Sequence, residues 1–324
     1  MGDESEAPAG KDVEMQLAQI YIPSAGQRLG LVDDGRIVDL TAAEPSLGSF
    51  LDLLEAAGGK AAVVKEIAAV AAAKADSGEV FSYHEFDRAP ADDEPHLLMP
   101  VHAPEVWGFG VTYKRSAEAR DADVAKTMDS SASIYDRVYH SDRPECFFKA
   151  TPPRCVGPHG PIGIRSDSEL TATEPELAYV LGAEREIVGY TICNDVSAWD
   201  LERDNPLYLP QSKIFSGCCA LGPVITLAAG GPDPYDLEIT CRIIRGGEPL
   251  YEDSTNSGRI GRTFEELNEY LYRDNPVPVG TVVSTGTGIM VPNEHNLIPG
   301  DVVEIGIEGI GVLSNPAVRL GKLK

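Results

Sequence analysis

Long apolar runs are missing from this sequence of 324 residues. A membrane-spanning helix needs about 18 or more consecutive apolar residues, and no such stretch occurs, so we expect no membrane span. The most apolar helical stretch, 61–75, is interrupted by Lys65, Glu66 and Lys74 and indicates an Ala-rich surface helix. The first 14 residues are acidic and polar, unlike a secretory signal, and we therefore expect a cytoplasmic protein.

Basic residues and metal-binding cysteine patterns are also scarce. The 27 Lys and Arg residues stand against 51 Asp and Glu residues, which gives a formal net charge of −24. Such a charge repels phosphate groups and anionic lipids, so neither nucleic acid nor a membrane is expected as a partner. The six cysteines form no Cys-x-x-Cys pair and have no His at zinc-ligand spacing. Without an export signal, we expect them to be reduced thiols.

The sequence divides into three regions that differ in the amount and spacing of their apolar segments. Residues 1–14 are predicted to be a disordered acidic tail, 15–97 a small N-terminal α/β domain, and 98–324 a second, β-dominated domain. Many short apolar runs separated by Gly, Pro and Asn make the second domain too dense in strands for a βαβ repeat. The whole chain is therefore expected to be α+β and dominated by strands.

A few segments have the pattern of other elements. Three short strands are predicted between 16 and 40, and the Pro- and Asp-rich segment 86–105 is predicted to be a linker. Helices are predicted at 47–57, 60–75, 114–129 and 262–273. The last two are the only helices expected beyond residue 97.

Three carboxylates converge in one predicted hairpin. Glu174 and Glu176 point to the same side of a strand, because side chains alternate along it. If Gly182 pairs with Ile187 in the next strand, Asp195 lies opposite Glu174. Three converging carboxylates suit a hard divalent cation and lack the soft ligands of structural zinc. An acidic strand end that faces water is the alternative explanation.

The segment that contains these carboxylates, 174–225, resembles the core of the fumarylacetoacetate hydrolase superfamily. The metal site of that family is a Glu-x-Glu pair followed by an Asp in an Asn-Asp-x-Ser-x-x-Asp stretch, which Glu174, Glu176 and Asp195 match. The resemblance extends over 105–318 and includes the STGTG loop and a late GDVVEIGIEGIG strand. It implies a catalytic C-terminal β-roll or sandwich with a small α/β N-terminal domain. It also implies Mg²⁺, or Mn²⁺ or Ca²⁺ in the same site.

The resemblance leaves several reactions open. The superfamily contains C–C hydrolases, decarboxylases, isomerases and sugar-acid dehydratases, which share a 2-oxo acid substrate that chelates the metal. The metal acts as a Lewis acid and makes a C3 proton or the C3–C4 bond labile. Hydrolytic members carry a lid motif, Asn-Tyr-x-x-His-x-x-Glu, in which Ser116 and Ala119 replace the His and the Glu here. A hydroxyl is a far poorer base than an imidazole, which argues against hydrolysis.

Several segments resemble the branch of 2-keto-3-deoxy-pentonate dehydratases, among them GVTYKRSAEAR, GIRSDS and NPLYLPQSKI. Those enzymes eliminate water from 2-keto-3-deoxy-arabinonate to give 2-oxoglutarate semialdehyde. A lysine of that branch follows the metal-binding Asp at the spacing of Lys213 from Asp195. The resemblance therefore implies a metal-dependent hydro-lyase acting on a small 2-oxo acid. Family members are commonly homodimers or larger homo-oligomers.

Two residues are candidates for direct contact with the 2-oxo acid. Lys213 is expected to contact the 2-oxo oxygen or to act as a base if desolvation lowers its pKa; a surface lysine paired with one of many acids is the alternative. Thr287 lies in the STGTG loop, where successive N–H groups can face an anion. Its family position implies a carboxylate ligand, although such a turn is often only a tight turn.

Four further residues are weaker candidates. Ser116 and Arg115 are expected to assist departure of the C4 hydroxyl, although Arg115 equally fits a solvated helix face. Tyr208 and Gln211 are candidates for contacts with sugar hydroxyls, or they cap the PLYLPQ loop.

Three other functions compete with the dehydratase. An acylpyruvate or fumarylacetoacetate-type hydrolase of the same fold would need another base in place of the missing His. A Schiff-base lyase would use Lys213, with the acids in a structural role. A non-catalytic binding module would keep the fold without turnover.

Overall fold

The computed structural model describes residues 14–75, 80–114 and 134–321. Its strands are β1 (Gln16–Ile22), β2 (Gly26–Asp33), β3 (Arg36–Asp39), β4 (Val80–Ser82), β5 (His96–Leu97), β6 (Val106–Gly110), β7 (Glu145–Ala150), β8 (Cys155–Val156), β9 (Ile162–Ile164), β10 (Thr171–Ala172), β11 (Pro175–Leu181), β12 (Ile187–Asp195), β13 (Ser197–Ala198), β14 (Cys219–Leu227), β15 (Glu238–Arg245), β16 (Glu248–Asn256), β17 (Val282–Ser284), β18 (Val302–Ile307) and β19 (Gly311–Arg319). Its helices are α1 (Leu40–Ala43), α2 (Phe50–Ala56), α3 (Ala61–Lys74), α4 (Tyr83–Phe86), α5 (Ile134–Tyr139), α6 (Trp199–Asp204), α7 (Leu209–Lys213) and α8 (Phe264–Leu271). Strands dominate, as predicted.

The predicted strands between 16 and 40 form β1, β2 and β3. β1 and β2 are an antiparallel hairpin in which Gln16 pairs with Val32. β2 continues into β3 through a turn at Asp34 and Gly35, where φ is 45° and 72°. Gly adopts such positive φ values without strain and Asp tolerates them, which explains the sharp reversal.

Three of the predicted helices are present. α2 lies within 47–57 and begins at Ser49, whose hydroxyl accepts a hydrogen bond from the N–H of Asp52. α8 lies within 262–273 and begins at Thr263, which caps it in the same way. α3 lies within the predicted 60–75, and its buried residues recur every three or four positions: Ala61, Val64, Ala68 and Ala71. Within the described ranges, no helix is long and apolar enough to span a membrane.

The expectation of only two helices beyond residue 97 was wrong. α5, α6 and α7 have six, six and five residues, too few for a helical repeat to be recognised in the sequence. Pro210 lies in the first turn of α7, where its missing N–H does no harm. Apart from Lys114, the helix predicted at 114–129 lies outside the described residues.

The main sheet runs across the predicted domain boundary. Its strand order is β4-β3-β2-β1-β14-β12-β11-β17-β6-β7, and β5 and β8 pair with β1 and β14. β1 is the junction, since Gln16 also pairs with Thr226 of β14. The predicted linker 86–105 contains β5, in which His96 pairs with Tyr21, so that part of the linker prediction was wrong. The division between residues 97 and 98 stays a prediction.

The site-bearing strands are covered on both faces. Every residue of β11 and of β14 is buried, as are all but the first of β12, which is typical of strands in the middle of a layered structure. A second sheet has the order β16-β15-β18-β19-β9. β14 contacts β19 and β11 contacts β15, so the second sheet packs against the strands that carry the carboxylates.

Candidate active site

The hairpin β11–β12 has the predicted register over most of its length. Pro175 pairs with Asn194, as the prediction requires, and the same register continues to Val180. A β-bulge then shifts the register by one residue, so that Ile187 pairs with Leu181 and not with Gly182. A bulge inserts one unpaired residue on one strand, and it lies at the loop end, away from the carboxylates.

The open end of this hairpin brings the three acidic residues together. The N–H of Asp195 donates to the carbonyl of Glu174 at 3.0 Å, so these residues lie opposite each other. One carboxylate oxygen from each of Glu174, Glu176 and Asp195 lies within 4.8 Å of the others. Their exposures are 3%, 2% and 1%. A solvated acidic strand end is therefore excluded, and the burial of three carboxylates needs compensation by cations and hydrogen bonds.

Glu174 and Glu176 are oriented by neutral donors. The indole N–H of Trp199 donates to Oε1 of Glu174 at 2.7 Å. Oε2 of Glu176 accepts hydrogen bonds from the hydroxyl of Ser284 and from the N–H of Gly286, the latter at 3.0 Å. Partners of this kind fix the direction in which a metal-binding carboxylate presents its oxygens.

Two buried lysines compensate the charge of the cluster. Lys213 donates to Oε2 of Glu174 and Oδ2 of Asp195, both at 2.9 Å, and to the hydroxyl of Ser197 at 2.7 Å. Lys149 contacts the other oxygen of Asp195, Oδ1, at 2.5 Å. Lys213 is 1% exposed, so the surface-lysine alternative was wrong. Because its three N–H groups have three acceptors, Lys213 has no lone pair available for proton abstraction in this geometry.

The pKa values of the charged groups in the cluster are shifted in different directions. Burial, followed by the charges of Asp195 and Glu174, raises the pKa of Glu176 to about 8. For Asp195 burial acts in the same direction, but Lys149 and Lys213 overcome it and hold the pKa at about 2. Burial opposes the charge of Lys149, yet Asp195 keeps the pKa of Lys149 above its ordinary value. The lysines thus stabilise the ionised form of Asp195, whereas burial and the neighbouring carboxylates disfavour the ionised form of Glu176.

A small cavity lies against the carboxylates. Its volume is about 10 Å³, which is room for about one water molecule or ion. Its lining comprises Phe109, Gly110, Val111, Phe147, Glu174, Glu176, Asp195, Gly286 and Thr287. Thr287 lines this cavity, with its hydroxyl bonded to the main chain of Ile289, and its contact with a substrate carboxylate stays a prediction. The N–H of Gly286 does face an anion, but that anion is the carboxylate of Glu176.

A pair of glycines in β6 leaves room beside this cavity for two side chains of β7. Glu145 pairs with Gly110 and Phe147 with Gly108. A Cβ at Gly110 would collide with the carboxylate of Glu145, and one at Gly108 with the ring of Phe147. Both side chains therefore lie across β6, and Lys149 follows two residues after Phe147. Glu145 lines a different cavity of about 330 Å³, and its carboxylate lies against Gly110, which lines the small one.

Of the four weaker candidates, the structure describes Tyr208 and Gln211. Tyr208 and Gln211 are exposed and do not line the small cavity. The main-chain carbonyl of Gln211 accepts a hydrogen bond from Arg165. Arg115 and Ser116 lie outside the described residues.

The sequence analysis missed three residues that contact the carboxylates, Lys149, Trp199 and Ser284, and one that lies beside the cavity lining, Glu145. The strand repeat places Glu145 and Phe147 on one face, whereas Lys149 follows at the point where the register of β6 and β7 shifts. Trp199 lies within the metal-site motif itself. Ser284 could not be assigned, since its contact with Glu176 depends on the pairing of β17 with β11.

The fold and the buried carboxylate cluster agree with one protein family. Residues 105–318 match the family model described as fumarylacetoacetate (FAA) hydrolase C-terminal. The chain belongs to the fumarylacetoacetate hydrolase family.

Two relatives and one solved structure point to the sugar-acid dehydratase branch of this family. The chain is 49% identical over 228 residues to 2-dehydro-3-deoxy-D-arabinonate dehydratase of Saccharolobus solfataricus, covering 70% of this chain and 76% of that protein. It is 42% identical over 292 residues to a probable 2-keto-3-deoxyxylonate dehydratase of Haloferax volcanii, covering 90% and 96%. A solved structure of 2-keto-3-deoxy-D-arabinonate dehydratase complexed with magnesium and 2,5-dioxopentanoate superimposes with a TM-score of 0.79. It is 37% identical and covers 95% of this chain and 100% of its own. These relatives are hydro-lyases, as the sequence predicted.

Proposed function

We propose that this protein is a metal-dependent dehydratase that converts a 2-keto-3-deoxy-pentonate, such as the arabinonate, into 2-oxoglutarate semialdehyde and water. The observation that carries the proposal is the buried cluster of three carboxylates with ligand oxygens within 4.8 Å of one another. The dehydratase relatives support the choice of reaction, and the replacement of the lid His by Ser116 argues against the acylpyruvate or fumarylacetoacetate-type hydrolase.

Glu174, Glu176 and Asp195 would hold Mg²⁺, with Mn²⁺ or Ca²⁺ as alternatives in the same site. All three offer hard oxygen ligands, the adjacent cavity has room for one ion, and the raised pKa of Glu176 shows that its ionised form would gain from a nearby cation. The residues therefore fit a divalent cation. When bound, it would act as a Lewis acid that polarises the 2-oxo group and makes the C3 proton more acidic.

Lys213 was predicted as a possible base, but its three N–H groups already have acceptors, so we propose another base for removal of the C3 proton. Glu145 is our candidate, because its carboxylate lies against Gly110, a residue of the cavity lining. Loss of a C3 proton and of the C4 hydroxyl group forms a C3–C4 double bond and one water molecule. A proton shift from C5 to C3, followed by tautomerisation of the resulting enol, gives the aldehyde. Lys213 would supply positive charge beside the 2-oxo oxygen.

The remaining substrate contacts follow from position. Thr287 lines the cavity and would donate its hydroxyl to the substrate carboxylate. Ser116 and Arg115 are retained as candidates for assisting departure of the C4 hydroxyl. Tyr208 and Gln211 are retained for the sugar hydroxyls, because they belong to the loop and helix that lead to Lys213. A homodimer or larger homo-oligomer, a cytoplasmic location and the domain boundary after residue 97 complete the proposal.

Product analysis tests this function directly. NMR spectra of reactions with D- and L-2-keto-3-deoxy-pentonates, with and without Mg²⁺, should show a five-carbon aldehyde only in the presence of the metal. Two shorter acids from an acylpyruvate would instead establish the hydrolase. Trapping of the protein by borohydride, with activity unaffected by EDTA, would establish the Schiff-base lyase. Metal binding without turnover on a panel of 2-oxo acids would indicate a binding module.

The role of Glu145 has its own test. Glu145→Gln should lower kcat by a factor of 10² to 10⁴, the usual contribution of a general base. The Mg²⁺ dissociation constant should stay unchanged, because Glu145 is not among the three clustered ligands. Glu252→Gln, on the exposed strand β16, is the matched control. Near-normal turnover by Glu145→Gln would exclude this residue as the base.

A further inference from the structure

Lys149 is a second completely buried lysine in contact with the carboxylate cluster. Its ammonium group contacts Oδ1 of Asp195 at 2.5 Å and donates to the carbonyls of Val196 at 2.9 Å and Lys213 at 2.7 Å. An ammonium group has three N–H donors, and each has an acceptor here. Lys149 therefore acts on the site through its charge and through these partners.

These contacts connect a metal ligand with the neighbouring lysine. Lys213 is the last residue of α7, and a cation is favourable at the carbonyl groups that end a helix. Lys149 binds that carbonyl and Oδ1 of Asp195, while the ammonium group of Lys213 binds Oδ2 of Asp195. Lys149 thus fixes the position of Asp195 relative to the main chain of Lys213.

The same contacts set the charge of the centre. With its three carboxylates ionised, as a bound cation requires, the described cluster combines them with two ammonium groups, which leaves one net negative charge. A divalent cation would change this to one net positive charge, which complements the single carboxylate of a 2-oxo acid. Without Lys149 the loaded centre would be neutral, and its attraction for an anion would fall.

We propose that Lys149 is a positioning residue that gives the metal-loaded centre its positive charge and thereby its affinity for anionic 2-oxo acids. The inference rests on the proposed function, because it assumes a divalent cation on the three carboxylates. It assigns part of the attraction for the anionic substrate to a residue outside the cavity lining. The cation itself should not depend on Lys149 for attraction, since removal of a positive charge makes the cluster more negative.

The experiment compares two ligands of different charge. Dissociation constants of pyruvate, a monoanion, and of oxalate, a dianion, are measured by calorimetry on the full-length protein in saturating Mg²⁺. The variants are Lys149→Met, which removes charge and donors, Lys149→Gln, which keeps a donor, and Lys149→Arg, which keeps the charge. Lys60→Met is the matched control, because Lys60 forms an exposed ion pair with Glu184. The dissociation constant of Mg²⁺ is measured for every variant.

In the Met and Gln variants, the dissociation constant of pyruvate should rise on the order of tenfold, a usual effect of an outer-shell partner. The dissociation constant of oxalate should rise by about the square of that factor, because Coulomb energy is proportional to ligand charge. Mg²⁺ should bind at least as tightly as in the unaltered protein. Any loss in Lys149→Arg should be equal for both anions, and Lys60→Met should behave as the unaltered protein.

Equal weakening of pyruvate and oxalate in Lys149→Gln, or unaltered binding of both, would overturn the inference. If Lys149→Met does not fold, the Gln variant alone decides it. An unaltered protein that binds neither anion in Mg²⁺ would contradict the proposed function itself, which is a different result from anion binding that does not depend on Lys149.

Discussion

Binding of Mg²⁺ should release close to one proton at neutral pH. The pKa of Glu176 is raised to about 8, first by burial and then by the charges of Asp195 and Glu174. A cation needs the ionised carboxylate, so it must displace the proton that Glu176 carries at pH 7. Asp195 takes no part in this release, because its pKa of about 2 keeps it ionised throughout.

The size of the effect follows from the pKa of Glu176. At pH 7, about 90% of the molecules carry this proton, and Mg²⁺ binding should release about 0.9 proton. The apparent dissociation constant should rise about tenfold for each pH unit below 8 and be about 100-fold larger at pH 6 than at pH 9. Calorimetric titrations in two buffers with different ionisation enthalpies measure both quantities. A dissociation constant that is unchanged between pH 6 and 9, with no buffer-dependent heat, would refute the reasoning.

The same shift predicts how stability depends on pH without the metal. The ordinary pKa of a glutamate is 4.5 and that of Glu176 in the fold is about 8. Between these values the folded protein binds more protons than the unfolded chain, so the free energy of unfolding should fall as pH rises. The total decrease is at most about 5 kcal/mol. Urea denaturation in EDTA should show this slope, Glu176→Gln should lack it, and saturating Mg²⁺ should abolish it, because the bound cation keeps Glu176 ionised in the folded protein.

Four other predictions test the site and the surface. Glu176→Gln should abolish Mg²⁺-dependent turnover and leave the circular dichroism spectrum intact; unchanged turnover would remove the metal assignment. Trp199→Phe loses the hydrogen bond to Glu174 and should weaken Mg²⁺ binding by a factor of 10 to 100, whereas Trp107→Phe, whose indole bonds to Glu105, should not. Ser116→His should not by itself create a hydrolase, because the base also needs an orienting partner; efficient acylpyruvate cleavage would contradict this. Because the net charge is −24, 1 M KCl should raise the melting temperature on the order of 5 °C above its value in 0.05 M KCl; an equal or lower value would show that charge repulsion is negligible.

The carboxylate cluster was predictable because a strand has a strict two-residue repeat. Glu174 and Glu176 must share a face, and one assumed pair, Gly182 with Ile187, placed Asp195 opposite them. The cluster formed although that pair did not, because the bulge lies beyond Val180 and the register between Pro175 and Val180 is unaffected. The position of Thr287 near the carboxylates could also be inferred from the sequence, but only from the resemblance of the STGTG loop to the family.

The partners of the carboxylates could not be predicted in the same way. Ser284 reaches Glu176 because β17 pairs with β11 across more than a hundred residues of sequence. Glu145 lies beside the cavity because Gly110 of the neighbouring strand has no side chain in its way. Both relations depend on which strands are neighbours, and the sequence of a single strand does not reveal that. The short helix that ends at Lys213 was missed for a different reason, because five residues are too few to show helical periodicity.

The sequence by itself determined the dominance of strands, the excess of acidic residues and the one face on which three carboxylates must meet, since these depend on composition and on local backbone geometry. Only the tertiary structure decided that the carboxylates are buried, that Lys149 and Lys213 each form an ion pair with one oxygen of Asp195, and that the pKa of Glu176 is raised. The physical reason is that desolvation and charge compensation depend on which groups from distant strands occupy the same few ångströms.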